Sequence, residues 1–121
     1  MSYTITQQQD GSWYYHSSQP FQLESGETLA ELELVYETYG ELNSDKSNVV
    51  VIHHALSVGA HVTATEKNPA SGWWNEMVGA GKAIDTNHYY VICINNLGSC
   101  FGSTGPSNIN PATKSLYNAS F

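Results

Sequence analysis

Basic residues are scarce in this chain. Four lysines and arginines face eleven aspartates and glutamates, giving a formal net charge of −7 over 121 residues. Nothing in so acidic a chain forms a basic stripe to neutralise phosphates, which excludes a nucleic-acid groove. The acids are dispersed (Asp10, Glu24, Glu27, Glu31, Glu33, Glu37, Glu41), the pattern of a solvated face. Charge of either sign is sparse as well. Charged residues make up 12% of the chain, about half the share usual in soluble domains, which suits a chain whose surface is largely buried or covered. Cysteine is limited to Cys93 and Cys100, too few for a disulfide framework. Cys93 sits in an apolar run and reads as an inert buried thiol. Cys100 lies among Gly and Ser, where it is either structural or part of a site wall. No apolar run approaches the roughly eighteen residues a membrane helix needs. The first residues lack the basic-then-apolar pattern of a secretion leader. Together these absences lead to the expectation of a cytoplasmic protein with no membrane partner, in which Asn118-Ala119-Ser120 matches a glycosylation sequon by chance.

What is present describes a folded chain. Hydrophobic residues reach 40% and aromatic residues 12%, unlike a disordered sequence. The length suits one small domain or part of a larger one. Residues 1–22 mix Gln, Ser and aromatics around a Gly11-Ser12 turn and read as an irregular arm or a hairpin. From Leu29 to Tyr39 apolar and polar residues alternate, which predicts an antiparallel strand near a sheet edge with one wet face. Val49-Val50-Val51-Ile52 and Tyr89-Tyr90-Val91-Ile92-Cys93-Ile94 are continuous runs, the signature of strands covered on both faces. Residues 53–88 between them have the length of a crossover, which predicts a parallel pair. Inside that crossover, Gly72–Gly79 reads as one or two helical turns, with Trp73-Trp74 as packing residues. Beyond Gly98 the sequence reads as loop. The fold class is therefore α/β, with an antiparallel start leading into parallel buried strands and residues 23–121 carrying the first strands and the site loops. Almost no amphipathic helix is available to cover the sheet, so the expectation is an incomplete sheet, the N-terminal part of a single domain.

The candidate chemistry lies where the Val49–Ile52 strand ends, at His53-His54-Ala55-Leu56-Ser57-Val58-Gly59. Ligands of open α/β sheets bind at the carboxyl ends of strands. Three readings compete there. Ala55-x-Ser57-x-Gly59 is a variant nucleophile elbow, although few strands precede it and no helix follows. Alternatively the loop supplies an oxyanion-hole amide, which needs a tight turn and no particular side chain; small residues at Ala55, Ser57 and Gly59 permit such a turn. Finally, His53, His54 and His61 could hold a metal. Adjacent histidines on a strand point to opposite faces, and no Cys or carboxylate stands at zinc-like spacing, so no metal is expected. The second candidate is Gly98–Gly105. It lacks the Gly-Lys-Ser/Thr ending of a phosphate loop and any following helix. It is read as a tightly wound site wall containing Cys100, Gly102 and Ser103.

Seven segments in order then carry a resemblance. They are Leu34–Asn43, His54-Ala55-Leu56-Ser57, Gly72-Trp73-Trp74, Gly81–Thr86, Asn96-Leu97-Gly98, Gly102–Ser107 and Ile109–Thr113. From about Pro20 to about Tyr117 the chain resembles the N-terminal third of the homoserine O-acetyltransferase family. Each segment is weak alone, and the ordered series is specific. The resemblance implies an α/β-hydrolase fold and transfer of acetyl from acetyl-CoA to the hydroxyl of L-homoserine, a step of methionine biosynthesis. It implies a ping-pong path through a serine acyl-enzyme, with His as base and Asp orienting it. Related enzymes use succinyl-CoA or accept serine. By this likeness Leu56 lends its backbone N–H to the oxyanion hole, and Ala55 and Ser57 shape it and the acyl pocket. The resemblance further implies acyl-CoA as a co-substrate, no cofactor and a homodimeric enzyme. The family's triad falls beyond Phe121, so no catalytic Ser, Asp or His is expected within these residues and the chain alone is expected to be inactive. Val58-Gly59, Gly98-Ser99-Cys100 and Gly79-Ala80-Gly81-Lys82 depart from the family pattern and bear on donor and acceptor preference. The alternative from another class is a non-catalytic binding module built on the front half of the fold.

Overall fold

The structure is a computed structural model that describes residues 2–118. Its main element is a five-stranded mixed sheet. Residues 3–17 form a hairpin of β1 (Tyr3–Gln7) and β2 (Trp13–Ser17), closed around Gly11-Ser12 with Asp10 capping the turn through Ser12. A short pair, β3 (Phe21–Gln22) and β4 (Thr28–Leu29), follows. Next come β5 (Leu32–Tyr39) and β6 (Val49–Ile52). Then β7 (Val78–Gly79) and β8 (Ile84–Asp85) form a two-residue parallel pair. They precede β9 (Tyr90–Ile94). A last small hairpin joins β10 (Ile109–Asn110) to β11 (Ser115–Leu116). Across the sheet the order is β1-β2-β5-β9-β6.

The expected parallel pair is present. Strands β6 and β9 run parallel, with Val49 opposite Tyr90 and Ile52 opposite Cys93. The position of β5 differs from the reading as an edge strand. It lies at the centre, with β2 on one side and β9 on the other, both antiparallel, because the first seventeen residues add two strands outside it.

The covered face is also the opposite of the one that alternation suggested. Side chains alternate across a strand, so Val35, Glu37 and Tyr39 share a face with Val91 and Cys93 through the β5–β9 register. That face carries the core: Tyr39, Ile52, Val62, Val78, Val91 and Cys93, with Trp73, Trp74 and Met77 packed against it. Thus Glu37, expected in water, is 7% exposed. The apolar partners on the other face are open, with Val51 53% and Ile94 37% exposed. Strands β6 and β9 are therefore covered on one face only among the described residues. The described residues include no α-helix to lie on the second face.

The crossover explains why one face is filled. It returns over the sheet with Val62 and Val78 fully buried. The stretch read as helical turns is a single turn, in which the amides of Met77 and Val78 both donate to the Trp74 carbonyl. Trp73 and Trp74 stack with ring centres 5.6 Å apart. The indole N–H of Trp73 donates to the Gly59 carbonyl at 2.8 Å, tying the crossover to the loop after β6. The β10–β11 hairpin lies in the stretch read as loop; two-residue strands are too short to display a period. The Asn118-Ala119-Ser120 sequon and Phe121 extend outside the described residues.

Candidate functional site

The carboxyl ends of β6 and β9 are adjacent because the strands are parallel, and one side chain joins them. His54 is 7% exposed. Its Nδ1 lies 2.7 Å from the Ala55 carbonyl, and its Nε2 lies 2.9 Å from the Asn96 backbone nitrogen. A carbonyl can only accept and an amide can only donate. The ring is therefore neutral, with its proton on Nδ1, donating to Ala55 and accepting from Asn96.

Ala55 also accepts the Val58 amide at 3.2 Å, closing a β-turn with Leu56 and Ser57 at its corners. The side chain of Leu56 is fully exposed, at 100%. Among the described residues the Leu56 and Ser57 amides have no hydrogen-bond partner. Two unpaired N–H donors thus sit on a tight turn at a strand's carboxyl end, braced from behind by His54. Such donors are what a developing oxyanion requires.

The loop after β9 is built differently. Strand β9 pairs only with Tyr36–Tyr39 of β5, so the inner half of β5 lacks a neighbour on that side. Asn95, Ser103 and Thr104 supply one. The Asn95 amide donates to the Val35 carbonyl, and the Val35 amide donates to Ser103 Oγ at 3.0 Å. Ser103 Oγ donates in turn to the Asn95 carbonyl at 2.6 Å. The Glu33 amide and carbonyl are met by Thr104 Oγ1 and the Thr104 amide, each at 2.8 Å. Hydroxyls here complete a ladder that the strand leaves unfinished. We expect Ser103→Ala to cost about 2 kcal/mol, because it orphans a backbone donor and an acceptor at a 1% exposed position. Urea midpoints would measure this; a change under about 0.5 kcal/mol would remove the hydroxyl from the ladder.

The site residues named from sequence therefore separate into two groups. Leu56 and Cys100 line one cleft of about 520 Å³, together with Asn96, Leu97, Phe101 and Pro106. Ala55 and Ser57 are exposed on the turn beside it. Ser103 lies beneath as a brace. Gly102 presses on β5, where an added Cβ would stand 2.7 Å from Val35 Cγ2. The other thiol, Cys93, is fully buried, and burial together with the nearby charge of Glu37 pushes it up to about 11.

Two clusters were not legible in the sequence. His16 on β2 pairs with Glu31 at 2.9 Å, and with Glu33 these residues place three ligand-type atoms within 4.8 Å of one another, all partly exposed. The cross-strand register, which sets His16 opposite Glu33, could have signalled it. The other cluster joins Glu37 to His61. Nδ1 of His61 is 3.0 and 3.2 Å from the two Glu37 carboxylate oxygens. The three histidines weighed as one group do not converge: His53 is exposed, His54 is held by backbone, and His61 faces Glu37.

No protein-family model matches the chain. Among curated proteins, it is 50% identical over its whole length to a homoserine O-succinyltransferase of Comamonas testosteroni, of which it covers 29%. It is 49% identical over 92% of its length to a serine O-succinyltransferase of Xanthomonas oryzae pv. oryzae, of which it covers 28%. A homoserine O-acetyltransferase of Methanohalophilus mahii is 51% identical over 89% of the chain. The chain belongs to the homoserine O-acyltransferase family. It spans under a third of the length of these relatives. Solved structures agree on the fold, which is part of an α/β-hydrolase. The homoserine O-acetyltransferase of Bacillus anthracis matches with a TM-score of 0.78 and 35% identity over 97% of the chain and 31% of that structure. Esterase E22 matches with 0.80 and 32% identity over 98% of the chain and 33% of that structure. Among the described residues no helix is long and apolar enough to cross a membrane.

Proposed function

We propose that the protein carrying this chain transfers an acyl group from acyl-CoA to the hydroxyl of L-homoserine, in methionine biosynthesis, through a serine acyl-enzyme. The observation that carries this reading is the Ala55–Val58 turn, with its two unpaired amides held by His54, in a chain about half identical to acyltransferases. In the first half-reaction a serine hydroxyl gives its proton to the histidine base as its oxygen attacks the thioester carbonyl. The carbonyl oxygen gains negative charge, the Leu56 N–H receives it, and the coenzyme A thiol leaves with a proton from the base. In the second, the homoserine hydroxyl gives its proton to that base and attacks the acyl-enzyme, and the base returns the proton to the departing serine oxygen as the ester is released. Ala55 and Ser57 border the acyl pocket, and Cys100, Gly102 and Ser103 belong to or support the wall beside it. No residue of this chain is assigned as the serine, aspartate or histidine of the triad. The protein works in the cytoplasm as a homodimer, with acyl-CoA as co-substrate and no cofactor.

Acetyl-CoA is the first donor to test. Succinyl-CoA is the second reading, favoured by the names of the Comamonas testosteroni and Janthinobacterium relatives. Serine as acceptor follows from the Xanthomonas oryzae name. Thiol release should be followed for the whole protein with each donor and each acceptor in turn. One donor paired with homoserine is expected to give turnover at ordinary enzyme rates, about 1 to 1,000 per second. The 121-residue chain alone is expected to release no thiol above background. Turnover by the chain alone would make Ser57 a nucleophile and overturn the assignment of Ala55–Val58 as an oxyanion turn. A whole protein that releases thiol with none of these pairs would overturn the function.

A further inference from the structure

Glu37 is a carboxylate where the sequence pattern put a wet residue. It is 7% exposed on the core face of β5, and a buried carboxylate needs partners. Its first is the phenol of Tyr39, 3.2 Å from Oε1. Its second is His61 Nδ1, at 3.0 and 3.2 Å from the two oxygens. The far nitrogen of that ring, Nε2, lies 2.6 Å from the Ala70 carbonyl. Both nitrogens of His61 therefore face groups that accept. A neutral imidazole carries one N–H and would turn a lone pair on one of them; an imidazolium donates to both. The Asn68 amide is 3.5 Å from Nδ1, too far to compete as a donor. Acceptors on both ring nitrogens favour the doubly protonated ring.

The pair stands at the base of the candidate oxyanion loop. The single O–H of Tyr39 is shared between Glu37 Oε1 and the Ala60 carbonyl, 3.0 Å from Oη, and Oη accepts the Val62 amide at 2.9 Å. The His61 carbonyl accepts the Trp73 amide, and Gly59 receives the Trp73 indole. Residues 59–62 are thus fixed to β5 and to the crossover on both sides, directly after the Ala55–Val58 turn.

We propose that Glu37 and a positively charged His61 form a positioning pair that anchors the loop after β6 to the sheet and so holds the Leu56 amide in place for acyl transfer. The positional half rests on the function proposed above; the charge of the ring does not. The charged and titratable groups around the pair are Asp10 from the β1–β2 turn, Tyr14 from β2, which lines the same hollow as the pair, Tyr39 beside Glu37 on β5, and the Cys93 thiol from β9, which feels the Glu37 charge. Glu66 and Lys67 border the neighbouring hollow that Glu37 also lines, and the Lys67 ammonium donates to Gln7. Partial burial pushes the His61 ring down. The hydrogen bonds to Glu37 and Ala70 and the charges of Glu37 and Asp10 outweigh it, leaving the ring above its ordinary value of 6.5. A group raised in the folded state lends its full support below that ordinary value and loses it as pH rises through the raised one. The anchoring should weaken on the alkaline side, not the acid side.

The test uses the whole protein with ¹⁵N-labelled histidine. At pH 7 the His61 ring is expected to show both nitrogens protonated; a ring with one proton would overturn the proposal without any variant. In Glu37→Gln the ring should lose its second proton at pH 7, and hydrogen exchange at the Val62 amide should rise on the order of tenfold. With the acyl donor and acceptor that the protein uses, kcat should fall on the order of ten- to a hundredfold with KM nearly unchanged, as for a misplaced catalytic group. The alkaline limb of kcat should move to lower pH. Glu37→Asp keeps the charge and should recover part of both effects, which a general loss of folding would not allow. A charged ring combined with unaltered kcat and exchange in Glu37→Gln would overturn the positioning role. If no acyl transfer is found at all, the proposed function fails, and the ring and exchange measurements still decide the pair.

Discussion

Gly40→Ala is expected to destabilise the protein by about 4 kcal/mol, among the larger effects of a single substitution. Gly40 follows β5 with φ of +80°, in the left-handed region. An L side chain pays about 1–2 kcal/mol to sit there. The greater part comes from space. A Cβ on Gly40 would stand 2.2 Å from the Tyr89 carbonyl oxygen and 2.8 Å from that of Thr86. Both are backbone atoms and cannot rotate away. The 85–89 turn is itself held, since the His88 and Tyr89 amides both donate to the Asp85 carbonyl. Asn48 Nδ2 binds the Glu41 and His88 carbonyls at 2.8 and 3.0 Å, and the Tyr90 amide donates to Asn48. Moving Tyr89 therefore disturbs the start of β9 and, through Asn48, the approach to β6. Gly26 provides the control. Its φ is +94°, and nothing lies within 4 Å of its added Cβ. Gly26→Ala should cost only the backbone part, about 1 kcal/mol. Urea unfolding of the two variants against the parent gives the difference directly. Equal losses would mean that the contact with Tyr89 does not constrain the fold.

Strands β5, β6 and β9 were legible in the sequence and their surroundings were not. Val49–Ile52 and Tyr90–Ile94 announce themselves as β-branched runs, and the length between them requires a crossover, hence a parallel pair. Their order relative to β5 depends on pairing across the chain. The first seventeen residues give no strong period, yet they cover an edge of β5 and move it to the centre. The wet face of β5 was misassigned because alternation says which residues share a face and not which face the crossover covers. Glu37 looks solvated in sequence, and the His61 that partners it lies 24 positions away. Hydroxyls were equally opaque. Ser103 and Thr104 read as loop residues, and their work as ladder partners exists only because β9 stops pairing at Tyr36.

The candidate site was legible in place more than in construction. The strand-end rule led to residues 53–59, and the small residues there suggested a turn. His54, read from sequence as one of three histidines and as the start of a resembling segment, is the side chain that ties the turn to the ends of two strands. It fastens Ala55 to Asn96, and Ala55 closes on Val58. Polar residues at this end of the sheet thus hold the backbone, leaving the Leu56 and Ser57 donors unpaired on the turn.

His54→Ala should accordingly reduce both stability and acyl transfer. Removing the ring leaves the Asn96 amide without its acceptor, takes one donor from Ala55 and opens a space at a 7% exposed position, a loss of about 3 kcal/mol. The turn keeps only its 3.2 Å closure from Val58. If the Leu56 amide serves the oxyanion, a loosened turn removes an aligned donor, worth on the order of a hundredfold in kcat for the whole protein. KM for the acceptor should change little, because the lost contact forms only as charge develops. His54→Gln carries one donor and one acceptor on a single side chain and should recover part of the stability and part of the rate. Replacing Leu56 would not make the same test, since its amide survives a change of side chain. The decisive comparison is kcat for the two His54 variants at a temperature where both remain folded. A folded His54→Ala protein with kcat within about twofold of the parent would mean that the turn's geometry does not depend on His54, and the bracing role given to that ring would fall.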